Sequence, residues 1–116
     1  MKFKLIVAFV DDRLTDKVIR TARQHGATGA TIIPTARGEG MEVTRGMFGL
    51  MLGSHRNILL FIVEQHMSRQ ILEKISEAGE FDQQSGTGMA LQLDVEDAVG
   101  LSTQVQKLAQ DLGNKI

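Results

Sequence analysis

From Lys2 to Val10 the chain alternates, with Phe3, Leu5, Val7 and Phe9 on one side and Ile6, Ala8 and Val10 on the other. Two apolar sides predict a strand buried on both faces. Asp11 and Asp12 stop it, and Asp12 is placed to cap a helix in which Leu14, Val18 and Ala22 recur at helical spacing before Gly26. A second strand is predicted from about Thr28 to Arg37, centred on Thr31, Ile32 and Ile33. It holds the single proline, Pro34, which cannot donate to a ladder and so belongs at a sheet edge or bulge. Gly38 to His55 is interrupted by Gly38, Gly40, Gly46, Gly49 and Gly53 and reads as an adaptable loop or loose hairpin. Ile58 to Val63 is an unbroken apolar run, as a central strand requires. Ser68 then stands where a second helix would be capped, with Ile71, Leu72 and Ile75 inward and Gly79 closing it. A polar stretch, Glu80 to Gly88, leads to a last strand with Met89, Leu91, Leu93 and Val95 on one face. Over about 102–113, Val105, Leu108, Ala109 and Leu112 form the stripe of a short amphipathic helix.

Strand, helix, strand, strand, helix, strand is the split βαβ order of ferredoxin-like α+β domains. In that topology the first and third strands are central and the second is an edge, which agrees with the two apolar runs and with Pro34. Two helices cover only one face of a four-stranded sheet. Ile6, Ala8, Val10 and half of Ile58 to Val63 are expected to point to the other face. Leaving them wet would forfeit about 1.5–3 kcal/mol each. The tail helix could cover part of that face, and self-association would cover the rest.

Composition narrows the function classes. The 116 residues make one domain, 1–116, and a chain this short buries a limited share of its surface, which favours subunit association. A net charge of -1 gives no general attraction to nucleic acid or anionic membranes, and neither is expected as a partner. The run Leu5 to Val10 is too short to cross a bilayer and lacks a cleavage site, so a soluble cytoplasmic protein, not membrane-inserted, is expected. Without cysteine there is no thiolate nucleophile or Cys-type zinc site. Asp11 with Asp12, and Glu96 with Asp97, are adjacent pairs that diverge or act as caps. No Ser-His-Asp set or Walker lysine is visible, so no catalytic residues are assigned and an enzyme is not expected. His25, His55 and His66 lie in separate elements and no metal site is assigned; His25, near a helix C-terminus, has a role as dipole partner.

Three local features go further. Gly29-Ala30-Thr31-Ile32-Ile33 opens the second strand, which ends in Arg37-Gly38-Glu39-Gly40. A long glycine-rich loop separates the second and third strands. Ser85-Gly86-Thr87-Gly88-Met89 precedes a strand running into Asp94-Val95-Glu96-Asp97-Ala98-Val99. Together these resemble the PII signalling proteins, in element order from about Lys2 to Leu101. There a G-x-T-V segment opens the second strand, a mobile T-loop follows, and a glycine-rich B-loop precedes the fourth strand.

The resemblance implies a homotrimeric sensor involved in nitrogen regulation. It would take an adenine nucleotide (ATP, ADP or AMP) in clefts between subunits and require no cofactor. By carry-over Thr31, Arg37, Gly38, Gly40, Gly86, Thr87 and Gly88 would border the ligand, with glycines letting backbone N–H groups converge on phosphate oxygens. On sequence alone Gly86 to Gly88 reads rather as a turn entering a strand, and it is the resemblance that puts the ligand reading level with it. The family's loop docks on a target such as a transporter or enzyme. Here Met41, Val43, Arg45, Met47, Phe48, Leu50 and Met51 would meet that target, since Met-rich adaptable surfaces repack against varied partners. They could instead extend the flanking strands as a hairpin packed on a neighbouring subunit.

The chain departs from the family at several cations. Met89 stands at a lysine place, Asp82-Gln83-Gln84 replace a segment with another lysine, and Gly100 and Ser102 stand at an arginine pair. Each lost charge-assisted contact is worth about 1.5–3 kcal/mol, which predicts weak triphosphate binding in the family mode. The loop has no glutamine to help hold magnesium and 2-oxoglutarate, and the absence of tyrosine excludes tyrosine uridylylation. Two alternatives stay open: a trimeric metal-binding protein of the divalent-cation tolerance type, and a small ferredoxin-like enzyme with its pocket inside one subunit.

Overall fold

Alternation over Phe3–Asp11 forms β1. A computed structural model describes residues 2–34, 56–83 and 88–101. After β1 come a 3-10 turn (Asp12–Leu14), α1 (Thr15–Gln24), β2 (Thr31–Pro34), β3 (Arg56–Glu64), α2 (Gln65–Ala78) and β4 (Gly88–Asp94). The strands form one antiparallel sheet in the order β2-β3-β1-β4. This is the expected ferredoxin-like α+β arrangement, with the two most apolar strands at its centre. Pro34 pairs with Asn57 on the edge strand, where its missing N–H costs no interior ladder bond. β2 begins at Thr31, three residues later than expected, Thr28 to Ala30 lying outside it; residues 35–37 of the expected strand, the loop 38–55 and the tail helix 102–113 lie outside the described residues.

The two sheet faces are the reverse of the expectation. Ile6, Ala8 and Val10 are the side chains beneath the helices, fully buried with Leu59, Phe61 and Val63 of β3. Val18 and Ala22 of α1 and Ile71 and Ile75 of α2 close this core from above. The physical reason lies in side-chain size. Across β1, Ala8 faces Ala90 and Val10 faces Gly88, a shallow strip that lets α2 and Phe81 approach the sheet closely. The bulkier Phe3, Leu5, Val7 and Phe9 stand on the opposite face. In register with them are Ile58, Leu60 and Ile62 of β3 and Met89, Leu91 and Leu93 of β4. That open face is apolar and half-buried to exposed, and Leu93 keeps half its surface wet.

Both caps also differ from the sequence reading. The 3-10 turn starts the first helical segment early, so Asp11 is its cap, accepting from the Arg13 N–H at 2.9 Å. Asp12 instead accepts from Asn57 Nδ2 at 2.9 Å, and the same amide donates to Thr15 Oγ1 at 2.9 Å, fastening α1 to β3. β3 passes into α2 with no linker, and Glu64 caps α2 by accepting from the His66 N–H at 2.9 Å. Ser68 lies inside the first turn, buried, where its hydroxyl donates to Gln92 of β4. Gly26 does end α1, with φ +118, a left-handed conformation that side chains resist.

Gly88 is required by close approach. A Cβ there would lie 2.3 Å from the Phe9 carbonyl oxygen and 2.6 Å from the Phe81 ring. Backbone on one side and a packed ring on the other leave no easy relaxation. Gly88→Ala is therefore expected to cost about 1–3 kcal/mol in urea denaturation through overpacking. Wild-type stability in that variant would contradict the contact. The same result means that lost ligand binding in Gly88→Ala cannot by itself identify a ligand contact.

Candidate functional site

Of the expected ligand-bordering residues, Thr31 and Gly88 lie among the described ones. Arg37, Gly38, Gly40, Gly86 and Thr87 lie outside them, as does the whole partner-binding set from Met41 to Met51. Thr31 is on β2 and Gly88 opens β4, at opposite edges of the sheet. With β3 and β1 between them, three inter-strand spacings amount to about 14 Å across the sheet. One chain does not bring the two together.

Each residue lines its own cleft. Thr31 sits with Thr28, Gly29 and Ala30 beside Leu5, Leu60 and Ile62, around about 330 Å3 on the open face. The side chains are small or apolar and none is charged, so the cleft suits a neutral group. The Gly29-Ala30-Thr31 segment singled out in the sequence thus forms a wall of a cleft.

Gly88 lines a second cleft of about 480 Å3, between α2 and β4. Leu72, Phe81, Met89 and Ala90 supply apolar surface, and Arg69, Glu73, Ser76, Glu77 and Asp82 supply the polar side. The sequence reading missed the α2 wall. The signal was available in the spacing of Arg69, Glu73 and Ser76, which share one helix face at i, i+4 and i+7. Arg69 Nε donates to Glu73 Oε1 at 2.9 Å, and Ser76 Oγ lies 3.5 Å from Asp82 Oδ2.

Other polar groups are engaged away from these clefts. Lys4 on β1 pairs with Asp94 at the far end of β4, and that hydrogen bond, with the lysine charge, holds the Asp94 carboxyl below the usual aspartate range. His25 Nδ1 lies 2.8 Å from the Thr21 carbonyl, and His66 meets Glu64. Among the described residues no three His, Asp or Glu side chains converge as metal ligands, and no helix is long and apolar enough to cross a membrane.

Comparison with known proteins agrees with this architecture. No curated protein matches the chain. Among solved structures, a PII-like signalling protein from Thermus thermophilus is 26% identical, with 82% of this chain and 87% of that one covered, at a TM-score of 0.58. The apo form of CPII, a nitrogen regulatory PII-like protein from Thiomonas intermedia, shares the fold at 14% identity. It covers 82% of this chain and 90% of its own, with a TM-score of 0.58. CPII bound to ADP, AMP and acetate shares it at 14% identity, 83% and 90% coverage and a TM-score of 0.57. The model of the nitrogen regulatory protein P-II family matches residues 3–105, nearly the whole sheet-and-helix order derived above, and the chain belongs to that family.

Proposed function

We propose that the protein is a cytoplasmic, homotrimeric regulator that binds an adenine nucleotide between subunits and acts on a target protein through the loop 38–55. The observation that carries this reading is the placement of Thr31 and Gly88 on opposite sheet edges. A ligand bordered by both needs one residue from each of two subunits, and the apolar open face supplies a surface on which subunits could meet. Family membership supports a signalling role rather than catalysis. The ADP and AMP held by CPII make adenine nucleotides the class to test first.

In this reading, Arg37, Gly38, Gly40, Gly86 and Thr87 join Thr31 and Gly88 around the ligand. Occupancy changes how the loop residues Met41 to Met51 present themselves to a transporter or enzyme. A change of up to ~100-fold in partner affinity needs only about 1–3 kcal/mol of coupling.

Light scattering followed by calorimetric titration with ATP, ADP and AMP tests it. The expected result is the mass of three subunits, one nucleotide bound per subunit, and at least about tenfold weaker binding in Arg37→Ala, from the loss of a charge-assisted contact. A monomer at micromolar concentration, or a trimer that binds none of the three, would overturn the reading.

A further inference from the structure

The outer side of α1 carries more positive charge than its surroundings neutralise. Lys17, Arg20 and Arg23 follow one another on it at i, i+3 steps, and all three are exposed. Lys4, Arg13, Arg69 and Lys74 each meet a carboxylate of their own chain. Among the described residues Lys17, Arg20 and Arg23 meet none. Of the carboxylates near the start of the helix, Asp11 is turned to Arg13 and Asp12 accepts from Asn57 of β3. Asp16 remains, one turn before Arg20 and in no ion pair with it among the described residues, so the face presents three cations against one carboxylate. Helix stability accounts for only part of this. Arg23 stands in the last turn, where positive charge suits the carbonyl end. Lys17 is in the first turn, at the positive end of the helix dipole, and Arg20 is in mid-helix.

We infer that this face of α1 is a docking surface separate from the loop, and that it takes an acidic segment of a partner protein. A guanidinium matches the two oxygens of a carboxylate in geometry as well as charge. Lys17 to Arg23 spans about 9 Å along the helix, which suits carboxylates spaced about one helical turn apart. A membrane finds nothing to take up, since Val18, Ile19 and Ala22 of α1 are turned into the core. A nucleic-acid strand would carry its phosphates past Asp11, Asp12 and Asp16, on a chain whose net charge is -1. The helices lie on the side of the sheet away from the open face, so subunits that meet on that face leave α1 outside. The inference does not depend on the nucleotide reading.

The test follows the fluorescence anisotropy of a labelled hexaglutamate peptide as the full chain is titrated in. The expected result is saturable binding at low salt that is lost at about 1 M, where screening acts within about 3 Å. Each exposed ion pair contributes up to about fivefold, so the double variant Arg20→Gln, Arg23→Gln is expected to bind about fivefold or more weakly, with an unchanged circular dichroism spectrum. The double variant Lys2→Gln, Lys74→Gln removes the same charge elsewhere and is expected to stay within about twofold of wild type. Absence of saturable binding at low salt overturns the inference. So does wild-type affinity in the Arg20, Arg23 variant, which would place the peptide on other cations such as Arg37 and Arg45. An equal loss in the Lys2, Lys74 variant also overturns it, reducing the effect to net charge. Phosphatidylserine vesicles or single-stranded DNA held more tightly than the peptide through Arg20 and Arg23 would assign the face to another class of partner and overturn it likewise. All of these outcomes leave the nucleotide reading, tested by nucleotide titration, where it stands.

Discussion

If the proposed trimer forms on the open face, Val7→Asp is expected to leave single chains at micromolar concentration. Val7 lies at the centre of the open face, opposite Leu60 on β3 and Leu91 on β4, with Leu5 and Phe9 before and after it on the same side of β1. In a single chain this position is partly wet, so a carboxylate there can stay hydrated and the sheet can form. In the proposed assembly a neighbouring subunit covers the face, and the same charge loses its water with only Leu60 and Leu91 directly opposite it. Removing an unpaired charge from water costs several kcal/mol, and the substitution also deletes a valine worth about 1.5–3 kcal/mol of burial. The measurement is light scattering beside circular dichroism, to separate dissociation from unfolding. A Val7→Asp protein that keeps the native mass would show that the face is not where subunits meet.

Phe61→Ala is expected to cost about 3–5 kcal/mol of folding stability. Among the described residues Phe61 is the largest fully buried side chain, on β3 opposite Ile6 and under the helix layer. Removing its ring leaves a cavity whose walls are the strands below and the helices above, neither of which can collapse without losing contacts elsewhere. Against a typical total of about 5–15 kcal/mol, a loss of that size leaves the domain marginal. Ile32 on the same sheet face, but on the edge strand and 47% exposed, is the control. Its replacement by alanine should cost about 1 kcal/mol or less. Urea denaturation at one protein concentration compares the two, and equal losses would mean that Phe61 is not packed as described.

These expectations depend on which side of the sheet is which, and the order of elements was far more legible than the sides. Pro34 marked the edge strand, the run Ile58 to Val63 marked a central one, and Gly26 marked a helix end, because each is a local consequence of backbone chemistry. The caps were less legible. Asp11 and Asp12 are chemically equivalent, and only the 3-10 turn decides which of them caps and which receives the Asn57 amide. Glu64 was hidden as a cap because it is also the last residue of a strand.

The candidate site divides in the same way. Gly29 to Thr31 and Gly88 could be singled out as short segments, and the family they belong to could be recognised from their order along the chain. That Thr31 and Gly88 stand on opposite edges follows from strand order alone. The acidic wall of the Gly88 cleft does not, because Arg69 to Glu77 become its lining only when α2 settles beside β4.

Local patterning along the chain was enough for the four strands, for α1 and α2, for their order and hence for the ferredoxin-like sheet, since a period of two or of 3.6 is a property of neighbouring residues. It could not choose between two apolar faces of β1, because both alternate equally well. That choice came from packing across strands. Ala8 against Ala90 and Val10 against Gly88 make the one side shallow enough for helices, leaving Phe3, Leu5, Val7 and Phe9 on the open one.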